Sequence, residues 1–97
     1  MSAKVRVMVP GKFWQDHVLR ECEPRATALY RLGQRVMVEG TRDELENLLN
    51  DARYYGDPSM YGPGGFDSCY RGLLSSAIRT VHAVARALND APPPEEG

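Results

Sequence analysis

Between Phe66 and Asn89 the apolar residues Phe66, Cys69, Tyr70, Leu73, Leu74, Ala77, Ile78, Val81, Val84, Ala85 and Leu88 follow one another at intervals that sum to helical turns. Positions at i, i+3, i+4 and i+7 share one face only in an α-helix, so the pattern predicts one amphipathic helix over Phe66–Asn89. Asp67 or Ser68 is placed to cap its first turn. Gly72 is its weak point, costing about 1 kcal/mol relative to alanine in a helix interior. Such a helix runs ~36 Å, longer than a small sheet needs for cover. The surplus apolar stripe leads to the expectation of a homodimer through this face.

The rest of the chain supplies what that helix packs on. Val5, Val7 and Val9 alternate with Lys4, Arg6 and Met8, the period of a half-buried strand, and Pro10-Gly11 stops it. Trp14, Val18 and Cys22 recur every fourth residue, which predicts a short helix over Lys12–Cys22 with Pro24 beyond its end. Arg25–Leu32 and Arg35–Glu39 flank Gly33-Gln34, the setting of a type II′ hairpin, with Tyr30 expected to face Met37 and Leu29 to lie opposite Val38. Thr41 and Glu44 form a capping box for a helix carrying Leu45, Leu48, Leu49, Ala52 and Tyr55, closed by Gly56 at C′. Asp57–Gly65 reads as a loop, and Asp90–Gly97 (DAPPPEEG) as a disordered Pro/Glu-rich tail. The expected fold is α+β: a small antiparallel three-stranded sheet packed against two longer helices and one short one, as one domain over residues 1–89.

Composition narrows the function classes. Twelve Lys and Arg against thirteen Asp and Glu leave a net charge of −1, so the chain as a whole has no attraction for nucleic acid or an anionic membrane. Its two cysteines, Cys22 and Cys69, make no disulfide framework, and the N-terminal Val/Met run is too short and too charged for a signal peptide. A cytoplasmic protein without cofactor or membrane partner is the expectation.

Four sets of residues bear weighing for chemistry. Asp16-His17 with Cys22 nearby has the ingredients of a base and a nucleophile, but residues five apart on one helix do not converge, and His17 suits a structural or surface hydrogen bond better. His17, Cys22, Cys69 and His82 are ligand types without the close pairs that zinc sites use, so no metal site is expected. Arg71, Arg79 and Arg86, with Ser75 and His82, fall along the polar side of the last helix and could track phosphates, with Arg25, Arg31 and Arg35 around the hairpin to widen the patch. A polar helix face is more often simply solvated. Finally, Tyr54–Phe66 (YYGDPSMYGPGGF) is rich in residues that give large contact area at low entropy cost. Tyr55 and Phe66 are expected to anchor the helices. Tyr54, Met60 and Tyr61 are left as contact residues for a partner.

The FWQDH stretch after a Val-rich strand, together with ELENLLNDARYYGD, resembles small uncharacterised proteins of actinobacteria and actinobacteriophages, over Val5 to Leu88. The resemblance implies an intracellular setting and a phage accessory protein acting on a host component; it carries no assigned activity and hence no functional residue. The expectation is a non-enzymatic protein-interaction module for an unknown partner. The alternative is a small nucleic-acid-binding regulator using Arg71, Arg79 and Arg86.

Overall fold

Alternation of valines builds the centre of the molecule. The computed structural model describes residues 4–21, 23–61 and 68–90, with backbone alone at 60, 61 and 68–71. Its elements are β1 (Val5–Pro10), α1 (Gly11–Leu19), β2 (Thr27–Leu32), β3 (Arg35–Gly40), α2 (Arg42–Tyr55), a 3₁₀ turn at Pro58–Tyr61, and α3 (Ser68–Asp90). The three strands form one antiparallel sheet in the order β1-β3-β2, so the architecture is the expected α+β. Val7 pairs with Val38 and Val9 with Val36, and all four are buried on the face that meets the helices. The opposite face carries the row Met8, Met37, Tyr30 and the row Pro10, Arg35, Leu32.

The hairpin turns as the sequence predicts, with φ +64° at Gly33 and no positive φ at Gln34, the combination a type II′ turn needs. Tyr30 faces Met37, but Ala28 rather than Leu29 lies opposite Val38. A bulge between Ala28 and Tyr30 takes up Leu29, a shift that the side-chain pattern of TALYRL does not announce. β2 is an edge strand, exposed along its whole length.

The short helix is shorter than the spacing of Trp14, Val18 and Cys22 suggests. It starts at Gly11, whose N–H donates to Gln34 O at 2.8 Å, and ends at Leu19 because Glu21 turns out of it at φ 55°. Cys22 lies outside the described residues. The capping box of α2 is complete: Glu44 N–H donates to Thr41 Oγ1 at 3.3 Å and Thr41 N–H to Glu44 Oε1 at 2.7 Å. Leu45, Leu48, Leu49 and Ala52 are buried beneath it. Gly56 closes α2 as its C-cap at φ −88°, not as a left-handed C′ residue.

α3 packs against α2, β1 and α1, so much of the stripe expected to exceed the sheet is covered by α2. Ala77, Val84 and Leu88 are buried as the spacing requires, whereas Ile78 is 38% exposed. The buried line is turned toward Ser76 and Thr80, which the apolar pattern omits. Both hide their polarity in their own helix: Ser76 Oγ donates to Leu73 O and Thr80 Oγ1 to Ser76 O at 2.8 Å. Asp90 is still helical, one residue into the stretch expected to be tail, and residues 91–97, like Phe66 and Asp67, lie outside the described ones.

Candidate functional site: a cationic groove opposite a buried clamp

The two sequence stretches with the most distinctive residue types meet each other. Phe13, Trp14 and His17 from α1 pack inward, with His17 and Phe13 fully buried. The partner of His17 is not its neighbour Asp16 but Asp51 of α2, whose Oδ2 accepts from His17 Nδ1 at 2.6 Å and from Arg20 Nη2 at 2.6 Å. The Arg20 guanidinium lies over the ring of Tyr55, 4.2 Å from its centroid, and 5.3 Å from that of Phe13. Burial works against the Asp51 carboxylate, but hydrogen bonds from His17 and Arg20 outweigh it and hold its pKa below the ordinary value. His17 Nε2 is buried with no hydrogen-bond partner. The buried ring and its shared carboxylate make this arrangement a clamp between α1 and α2.

The other side of α1 is open. Lys12 and Gln15 from α1, Pro10 and Met8 from β1, Arg31, Leu32, Gln34 and Arg35 from the hairpin, and Gly72, Ser75, Ser76, Arg79, His82, Ala83 and Arg86 from α3 line one groove of about 1380 Å³. That exceeds the roughly 300–1,000 Å³ of a small-ligand pocket, and suits an extended ligand better than a compact one. Five of the lining side chains are cationic, and none of the described lining residues is Asp or Glu. Among the described residues the one ion pair these cations make is Arg86 with Asp90 at 3.8 Å, between side chains 85% and 68% exposed, which is worth little. Arg31 Nε donates to Gly33 O, and Arg79 reaches Ser75 Oγ at 3.5 Å, bonds that orient the guanidinium groups without neutralising them. Acidic residues gather elsewhere: α2 carries Asp43, Glu44, Glu46 and Asp51 against Arg42 and Arg53. Among the described residues of a chain of net charge −1, five cations thus gather along one groove.

The arginine row is therefore assembled in part as expected. Arg79, Arg86, Ser75 and His82 share the groove with Arg31 and Arg35, while Arg25 is not among its lining residues and the Arg71 side chain lies outside those described. Lys12 was not foreseen. Its signal was Gly72: a Cβ there would stand 2.5 Å from Lys12 Nζ, so the glycine clears the path by which Lys12 crosses α3. A lone glycine in a helical pattern marks such close approaches. Of the expected partner-contact residues, Tyr54 is 60% exposed and set edge-on against Tyr55 with centroids 5.1 Å apart. Met60 and Tyr61 are in the 3₁₀ turn, where Ser59 N–H and Oγ both donate to Asp57 Oδ1, but their side chains lie outside the described ones. His17 and His82 stand in different environments, one in the clamp and one exposed in the groove, and no group of three potential metal ligands occurs among the described residues.

No described helix is long and apolar enough to cross a membrane. No protein-family model, no curated protein and no solved structure matches this chain.

Proposed function

We propose that this chain is a non-enzymatic binding module that takes the phosphate backbone of a nucleic acid in the groove between α3 and the hairpin. One observation carries this reading: Lys12, Arg31, Arg35, Arg79 and Arg86 converge from four elements on a groove with no described carboxylate. Phosphates binding there would release condensed counterions, the main source of affinity in such complexes. The exposed side chains of Gln15, Gln34 and Ser75 add neutral donors of the kind that contact phosphate and sugar. The net charge that argues against nucleic acid at the level of the whole sequence does not bear on this region, since screening limits its acids on α2 to short range.

The test is fluorescence anisotropy with labelled oligonucleotides across a salt series. The expected slope of log K against log salt is about −3.5 for five contacts on a single strand, or about −4.5 on a duplex. Arg35→Ala combined with Arg79→Ala should weaken binding to all sequences alike and flatten the slope by about 2. Absence of binding at 20–50 mM salt, on the order of the lowest usable ionic strength, would remove the reading, because phosphate contacts are strongest there.

A second reading, a protein partner docking at Tyr54, is favoured by one observation, the large exposed ring held edge-on by Tyr55. It is the reading to take up if the oligonucleotides fail to bind.

A further inference from the structure

The groove does not end at the cations. Its floor at Met8, Pro10, Leu32 and Arg35 belongs to the face of the sheet turned away from the valine core. The register continues that face sideways, from Met8 through Met37 to Tyr30 and from Pro10 through Arg35 to Leu32. Tyr30 is 51% and Leu32 64% exposed, and Met8 and Met37 are half-buried. Across the far end of the face Arg6 Nε donates to Glu39 Oε2 at 2.8 Å, so the one described carboxylate on this surface is already paired. An aromatic ring and polarizable methionines therefore lie on the sheet face one row away from Arg35 and the groove.

Resting on the function proposed above, we propose that the groove binds single-stranded nucleic acid, with the backbone along the cations and bases laid on the open sheet face against Tyr30. Charge complementarity selects the occupant: a polyanion is what Arg35, on this face, and Arg79, across the groove, would hold next to this apolar surface. A duplex keeps its bases stacked on one another, and its phosphates alone would leave Tyr30 and Leu32 in water. A single strand offers both a charge to the arginines and an aromatic face to the tyrosine. Stacking of that kind is tolerant of sequence, because every base has a π-face. A second protein chain laid on this sheet face would have to supply carboxylates for the same arginines, whereas a strand of nucleic acid carries an anion at every residue.

The experiment compares a labelled mixed-sequence single strand of about 15 nucleotides with the same sequence as a duplex, using the full chain at low salt, and repeats both with Tyr30→Ala and Tyr30→Phe. The expected result is tighter binding of the single strand, about a tenfold loss of it in Tyr30→Ala, and retention in Tyr30→Phe. The salt slope should stay the same in both variants, since Tyr30 contributes no charge. Because Tyr30 stands on an exposed edge strand, thermal melts of the variants serve to show that a loss of affinity is not a loss of fold. Equal or tighter binding of the duplex, or an unchanged affinity in Tyr30→Ala, overturns the inference while leaving the phosphate groove standing. Failure of every oligonucleotide to bind overturns both, and concentration-dependent self-association of the chain in that case would assign the face to a second copy.

Discussion

Lys12 and His17 lie five residues apart on α1 and meet opposite circumstances. His17 is fully buried, its Nδ1 bonded to a carboxylate that is also held by Arg20. Lys12 is exposed and crosses a glycine toward a groove whose other charges repel it. In the clamp every charge is matched within the chain, so its interactions serve folding. In the groove five like charges are gathered and only the exposed Arg86–Asp90 pair is described to offset them, a cost to the folded state that an anionic partner relieves. The contrast teaches where to look for function in a small domain: at the unbalanced charges, rather than at the His–Asp pair that resembles catalytic machinery.

The largest effect is expected on breaking the clamp. Asp51→Ala leaves Arg20 and His17 without their shared acceptor in a partly desolvated site, and should cost about 3 kcal/mol, measured by urea unfolding. For a chain of this size that corresponds to a fall in melting temperature of roughly 12–24 °C. Oligonucleotide binding by the fraction that remains folded should be unchanged, which separates the two regions. The same carboxylate makes a prediction about acid. Its pKa is lowered in the folded state, so its contribution is present above the unfolded carboxylate value near 3.9 and is lost as pH falls through the lower folded value. Asp51→Asn should therefore be less stable than the parent at neutral pH, and the gap should narrow as pH falls below the unfolded carboxylate value near 3.9. A gap that stays constant as pH falls through that value would show that the bonds to Asp51 do not depend on its charge.

A smaller effect is expected at the start of α2. Thr41→Ala removes the hydroxyl that accepts from Glu44 N–H and should cost about 1 kcal/mol. Neither Thr41 nor any residue of α2 lines the groove, so any accompanying loss of oligonucleotide affinity would blur the division between the regions.

How much of this was legible in the sequence depends on how local the cause is. The valine alternation, the Gly33 turn and the Thr41–Glu44 box each depend on residues within a few positions, and all three appear as the sequence predicts. The bulge at Leu29 and the burial of Ser76 and Thr80 depend on what the far side of the element meets, which no local pattern records. The clamp lay in plain view as residue types, but Asp51 is 34 positions from His17, and proximity in sequence pointed to Asp16 instead. The groove was half legible. Helical spacing aligned Arg79 with Arg86, yet only the tertiary fold brings Lys12 and the hairpin tip across from them.

Gly72 joins the two kinds of reasoning and gives the smallest and most diagnostic change. By propensity alone Gly72→Ala should stabilise α3, by up to about 1 kcal/mol. The new Cβ would fall 2.5 Å from Lys12 Nζ, but that atom is the free end of a flexible side chain and can move aside. A net gain of about 0.5 kcal/mol in urea unfolding is expected, because moving Lys12 offsets part of the propensity term. Lys12 would then reach the groove along another path, and oligonucleotide affinity should fall about twofold while the salt slope is kept, a displaced cation still being a cation. A loss of stability instead would mean that Lys12 is packed firmly over α3. The groove would then be a preformed, rigid surface, and its five cations would be held together by the fold even when nothing occupies it.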